Sequence, residues 1–292
     1  MQGNLTGDDL YALLVLMRTS DSRAFLILEG ESDVSALNGH INFDECQPIP
    51  GYGKPAVLKA MRIVEQQNMR SVAALVDRDW AGFLEEISQI QSVFYTDGFD
   101  LDSTIMAMKS VRDRVIINFS NAQRMSAYLE RTNISDVIDV VVASAIVVSA
   151  VRYLCETGKI VGSAKDFPID VVMNLDGGGV DELRTLELAM RKAGQTSPRA
   201  ELALKDLSDV LNGLPAKVEC CNGHDLARGL AQLMHKRLGS SALGGDLVER
   251  AMRSALGCHD LQSTQLFADL LNWGLTENRN IWTCPRQRTA AP

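Results

Sequence analysis

Apolar and polar positions follow two rhythms through the first hundred residues. LTGDDLYALLVLMR sets Leu10, Leu13, Leu14 and Met17 at helical spacing, with Thr6 as cap and Asp8 and Asp9 in the first turn. FLILE, residues 25–29, is apolar up to its last position and predicts a short buried strand. SDVSALNGH then opens a helix with Ser32 or Asp33 near its N-terminus. CQPIPGYGKPAVLKAMRIVEQQ reads as a short extended piece, a glycine turn and a helix with Pro55 at an early position. SVAALVDRDW and SVFYTDGFDLDST supply two more strands. This alternation of strand and helix predicts an α/β fold with a parallel sheet flanked by helices.

Farther along, the helical rhythm takes over. IMAMKSVRDRVI, NAQRMSAYLERT and residues 137–156 all read as helix. The most apolar stretch, VIDVVVASAIVVSAV at 137–151, is broken by Asp139 and falls short of the roughly 20 residues that cross a bilayer. It predicts a buried helix and no membrane partner. Residues 160–175 read as irregular chain or short strands, and AKVECCNGHDLARGLAQLMHKRL as strand, turn and helix. The last fifty residues read as two or more helices before the polar tail CPRQRTAAP. The expected organisation is an α/β core over 1–104, a helical insertion over 105–160, the remainder of the core over 161–230 and a helical C-terminal region over 231–292. Leu261, Leu266, Leu270 and Leu271 give the last helices apolar faces with no obvious core of their own, so pairing into a homodimer is expected.

Composition narrows the function classes. With 292 residues, 46% hydrophobic and 23% charged, the chain can bury a sizeable core and is not globally disordered. A net charge of −8 argues against wholesale coating of nucleic acid, but allows a local basic groove or acids neutralised by metal ions. Candidates for such a groove are Arg78, Lys109, Arg112 and Arg114, with Lys236 and Arg237 as a second small cluster; each is also readable as part of a solvated face. Nothing resembles a base-reading module, and aromatic residues are too few for a stacking platform. The six cysteines are scattered in a chain without a secretory signal, so they read as reduced thiols of a cytoplasmic protein. Cys258-His259 and Cys220-Cys221 lack the C-x-x-C spacing of a zinc site.

The informative chemistry lies where the strands stop. FLILE ends in Glu29, with Glu31 and Asp33 close behind; SVAALV ends in Asp77 and Asp79; SVFYT ends in Asp97, Asp100 and Asp102. One acid at a strand end is ordinarily a solvated or capping group. Three consecutive parallel strands ending this way predict acids converging at the C-terminal edge, where open α/β sheets bind ligands. Clustered carboxylates repel unless a cation neutralises them, and an oxygen-only donor set favours Mg²⁺ or Mn²⁺. The expectation is a divalent-metal site for phosphoryl chemistry.

An apolar strand ending in Glu29-Gly30, then Asp33, then LVDRD with Asp77 and Asp79, resembles the Toprim domain, the catalytic fold of topoisomerases, DnaG-type primases and OLD-family nucleases. The resemblance implies Glu29 as general acid or base and Asp77 and Asp79 as Mg²⁺ ligands, with Asp33 a further ligand or a helix cap and Glu31 solvated. ILEGESDVSAL, GYGKPAVLKAM, ALVDRDW, TDGFDLDSTIM and CNGHDLARGL, in that order, are similar to a Toprim subfamily encoded beside ABC-type ATPases in bacterial anti-phage operons of the PARIS type. It covers residues 1–110 and again about 215–232. Under it, Asp97, Asp100 and Asp102 become additional metal or water-positioning carboxylates, at least one of them only a cap, for which Asp102-Ser103 at a helix start is the nearest candidate. Gly53-Lys54 before a helix would bind phosphate or be a plain turn with a surface lysine. His224 would be a phosphate contact or a packed residue beside a capping Asp225.

The leading expectation is therefore a metal-dependent nuclease acting on tRNA or DNA, a toxic effector restrained by a partner ATPase. Two alternatives remain at this level. ALVDRDW resembles the Asp-x-Asp motif of haloacid-dehalogenase-like phosphatases, with Asp77 as nucleophile and Asp246 in GGDLVER as a degenerate later acid, although that motif should end the first strand. The other is a non-catalytic subunit that docks on an ATPase.

Overall fold

The computed structural model describes residues 6–87, 89–176, 180–195 and 198–285. In chain order these form α1 (Gly7–Arg18), β1 (Ala24–Leu28), α2 (Glu31–Leu37), β2 (Cys46–Pro50), α3 (Lys54–Gln66), β3 (Val72–Val76) and β4 (Val93–Tyr95). Helices follow: α4 (Leu101–Ala107), α5 (Lys109–Phe119), α6 (Ala122–Thr132), α7 (Ile138–Glu156), α8 (Ile169–Val172), α9 (Glu182–Arg191) and α10 (Pro198–Gly213). After a 3₁₀ turn at Val218–Cys220 come α11 (Gly223–Lys236), α12 (Gly245–Ala255), α13 (Cys258–Leu261) and α14 (Gln265–Thr276). Two compact units result. The first comprises residues 1–78, 87–97 and 256–292, and the second residues 79–86 and 98–255.

The first unit holds the sheet, four parallel strands in the order β2-β1-β3-β4. All five residues of β1 and all five of β3 are buried, as apolar runs without alternation require when both faces of a sheet are covered. One face is set by the two-residue period: Phe25 and Ile27 of β1 and Val72, Ala74 and Val76 of β3 share a core with Leu10 and Leu14 of α1 and Val57, Ala60, Met61 and Val64 of α3. Thr6 caps α1 as its sequence predicts, with Asp9 completing the reciprocal pair. Leu261, Leu266 and Leu270 are buried and Leu271 half-buried, while the Phe267 ring stacks on Trp282. The apolar face from which dimer pairing is expected is thus covered within the chain. Cys258 and Cys284 are joined in a disulfide, a correction to the reading of six reduced thiols; Cys46, Cys155, Cys220 and Cys221 take part in no disulfide.

The second unit is helical. Its α7 is the one helix among the described residues long and apolar enough to cross a membrane, and 72% of its apolar window is buried inside the protein. Val141, Ala145 and Val148 on it are buried, and α11 approaches so closely that a Cβ on Gly229 would lie 2.6 Å from Val141 Cγ1. Arg152 of α7 and Asp225 of α11, both largely buried, pair at 2.5 Å.

Residues 160–175, read as irregular chain or short strands, hold no strand, and the strand expected before α11 is not formed. Within 160–175 the regular element is the single turn α8, and before α11 the chain makes a 3₁₀ turn. There the Cys220 and Cys221 amides bond back to Lys217 and Val218 carbonyls, so backbone groups that a strand would offer to a neighbour are closed locally. No described residue of 161–230 therefore joins the sheet expected to continue there. The C-terminal region also divides: α12 belongs to the second unit, α13 and α14 to the first.

Candidate functional site

Each strand end in the first unit is built by a different local device. After β1 the chain passes through Glu29 into Gly30, the N-cap of α2, whose amide donates to Asp33 Oδ2 at 2.9 Å. Asp33 thereby holds the start of its own helix, and Glu31 is exposed. After β2, Gly51, Tyr52 and Gly53 fold across the end of β1: the Gly51 amide donates to the Leu28 carbonyl at 2.7 Å and the Gly53 amide to the Glu29 carbonyl at 2.9 Å. A Cβ on Gly51 would sit 2.2 Å from Val57 Cγ2, and Gly53 has φ of 100°, so both glycines are required. The loop delivers Lys54 as the first residue of α3. Its Nζ donates to the Asp77 carbonyl at 2.7 Å and the Arg78 carbonyl at 3.4 Å, and lies 5.7 Å from the centre of the Tyr95 ring.

After β3, the Asp77 amide donates to Glu29 Oε2 at 3.2 Å. The Thr96 amide reaches the Val76 carbonyl at 3.1 Å, and the Thr96 hydroxyl accepts from the Arg78 amide at 3.0 Å. Glu29, Asp33, Lys54, Asp77 and Arg78 therefore come to one edge, with Glu29 and Asp77 half-buried at the ends of adjacent central strands. Thr96 belongs to this edge and sequence reasoning passed over it; its position directly after VFY, before an acid, is the signal that it closes a strand end. Asp79, two residues after Asp77, falls in the second unit, where its amide donates to the Phe99 carbonyl at 2.7 Å and its φ of 49° lies in the left-handed region.

The acids of the third strand end do other work. Asp97 accepts the Gln265 and Leu266 amides at 2.7 and 2.8 Å, closing the first turn of α14. Asp100, rather than Asp102, is the N-cap of α4, accepting from the Ser103 amide at 2.7 Å. Its other oxygen accepts from the Gly223 amide at 2.8 Å and the Asn222 side chain at 3.2 Å, tying the start of α11 to that of α4. Burial, reinforced by the charge of Asp102, pushes the Asp100 carboxyl up to about 7 against the pull of these amides. Asp102 is held by the Arg253 guanidinium, Nε lying 2.7 Å from Oδ1. Among the described residues, no three carboxylates bring ligand oxygens within 4.8 Å of one another; the group of three that meets this test is His40, Cys258 and Cys284. Helix amides and Arg253 thus engage the acids of the third strand end.

The expected cationic contacts are largely internal. Arg112 is buried; it donates to the Met106 and Ala107 carbonyls at 2.6 and 2.8 Å and to Asp136 at 2.8 Å, which makes it a clasp for the end of α4 and not a phosphate ligand. Lys109 is exposed and paired with Asp113 one turn along α5. Arg114 donates to the Ala255 carbonyl, and Arg237 joins Arg131 on Asp176, whose carboxyl they pull down to about 2. His224 Nδ1 lies 2.5 Å from Glu249, and the cap of α11 is Asn222, not Asp225. Burial raises the Asp225 carboxyl, and Arg152 opposes that rise. No protein-family model matches the chain, and no curated protein matches it either.

Proposed function

We propose that this chain is a divalent-metal-dependent phosphodiesterase of the Toprim kind, cleaving a nucleic acid such as tRNA or DNA. The observation that carries the reading is the pair at the ends of the two central strands, Glu29 and Asp77, joined by the Asp77 amide to the Glu29 carboxylate at 3.2 Å. The donor set suits Mg²⁺ or Mn²⁺: carboxylate oxygens, half-buried, without thiol or imidazole. Asp77, beside Glu29, is the residue of this edge that would hold the ion, which supplies when bound an activated water and stabilisation of the leaving oxygen.

Within that reading each protein group has a task at a stated atom. Glu29 moves the proton at its carboxylate, oriented by the Asp77 amide. Lys54, bonded to the Asp77 and Arg78 carbonyls, fixes the chain that carries Asp77 out of β3. Thr96 holds the Arg78 amide and secures the same turn from the other side. The resemblance to defence effectors adds restraint by an ABC-type ATPase as a further proposal.

The test incubates wild type, Glu29→Gln and Asp77→Asn with Mg²⁺ or Mn²⁺ and with tRNA or DNA pools. Metal-dependent cleavage by wild type, absent from both variants, is the expected result. Full cleavage by Glu29→Gln overturns the assignment, and trapping of a phosphoaspartate on Asp77 replaces it with phosphatase chemistry.

A further inference from the structure

Three distant segments of the first unit bring two sulfurs and one imidazole nitrogen together. His40 follows α2, Cys258 opens α13, and Cys284 lies in the segment after α14. His40 Nδ1 is 3.8 Å from Cys258 Sγ and 3.4 Å from Cys284 Sγ, and the three ligand atoms fall within 4.8 Å of one another. The backbone holds them there. The Thr283 amide donates to the His40 carbonyl at 2.8 Å and the Asn42 amide to the Ile281 carbonyl at 2.8 Å, around an antiparallel bridge between Ile41 and Trp282. Trp282 is fully buried, which anchors the segment bearing Cys284.

We propose that His40, Cys258 and Cys284 form a thiol-gated zinc site, closed as a disulfide when oxidised and binding Zn²⁺ when reduced. Tetrahedral zinc with bonds of about 2.3 Å to sulfur and about 2.0–2.1 Å to nitrogen needs sulfur-to-nitrogen separations of roughly 3.6 Å, and the two observed values straddle it. Thiolate and imidazole donors select zinc over the hard ions suited to carboxylates. The imidazole also hydrogen-bonds the Leu256 backbone. A backbone partner of this kind helps to orient the ring of a metal-binding histidine. Three protein ligands leave the fourth position to water or an external donor.

The redox step balances with a dithiol reductant. It transfers two electrons and two protons to the Cys258–Cys284 bond and becomes a disulfide itself, leaving two thiols. Zinc then binds both sulfurs as thiolates, and two protons pass to solvent.

The experiment uses the full chain, reduced by a phosphine under anaerobic conditions, with an untreated sample as the oxidised form. Titration with Co²⁺ should give one equivalent of tetrahedral absorption with thiolate-to-cobalt charge transfer, bleached by Zn²⁺ and absent from oxidised protein. Cys258→Ser and Cys284→Ser should abolish the charge-transfer band, His40→Ala should weaken binding at least tenfold, and Glu29→Gln should leave the spectrum unchanged. Because a cysteine variant can fail to fold, alkylation of reduced wild type provides a second measurement: Zn²⁺ should protect Cys258 and Cys284. A disulfide that resists reduction in the folded chain, bands that persist without both cysteines, or unprotected thiols in the presence of Zn²⁺ each overturn the proposal.

Discussion

The acids at the sheet edge of the first unit and the acids of the second unit look alike in sequence and live differently. Glu29 and Asp77 close adjacent strands, and the amide of one bonds the carboxylate of the other. In the second unit, Asp100 caps α4 and accepts the first amide of α11, Asp102 is clasped by Arg253, and Asp225 is paired with Arg152 in the interior. The difference teaches that an acid following a strand is assigned by whatever arrives beside it. A helix N-terminus presents amides that lack partners, and a nearby carboxylate takes them. Asp97 belongs with the second kind although it lies in the first unit, since α14 reaches it from 168 residues along the chain.

That contrast can be broken by exchanging the two kinds of effect. Glu29→Gln should lower nucleic-acid cleavage by roughly 10²- to 10⁴-fold, the usual contribution of a positioned proton-transfer group, while the thermal midpoint stays near wild type. A collapse in stability instead would put Glu29 with the structural acids. Asp225→Ala should do the opposite: removing one partner of a buried ion pair costs about 3–5 kcal/mol, to be read by urea unfolding. Wild-type stability in that variant would remove Asp225 from the structural set. Asp97→Ala should lose about 1 kcal/mol, as for other helix caps, with metal-dependent cleavage retained.

The pH response sharpens the same comparison. The Asp100 carboxyl is raised from 3.8 to about 7, so between these values the folded chain keeps a proton that the unfolded chain has lost. Stability therefore falls as pH rises through that window, and Asp100→Asn should flatten the slope in thermal unfolding measured from pH 4 to pH 8. A slope unchanged in the variant would assign it to another group.

Much of the first unit is legible because its elements are decided locally. The apolar runs of β1 and β3 have no polar face to expose, and Thr6, Pro55 and the glycines of GYGK mark helix starts and a turn by their own backbone chemistry. The buried helix at 138–156 is legible for the same reason, its polar positions being too few for a solvent face. The second unit is read less well. VECC has the apolar content of a strand, yet amides bonding three residues back make it a turn. Arg112 has the spacing of a surface cation and is buried with its two terminal nitrogens donating to carbonyls at the end of α4 and to Asp136.

By itself the sequence determined an α/β protein, the parallel strands, their order along the chain and the placing of Glu29 and Asp77 at strand ends, because periodicity and turn residues act over a few positions. Tertiary structure alone decided which acids cap helices, which pair with arginine, and that Cys258 and Cys284 meet beside His40. The contacts of Asp100 with Gly223, Asp102 with Arg253, Asp225 with Arg152 and His40 with both sulfurs join groups 73 to 244 residues apart, where no local pattern reports which partner will arrive.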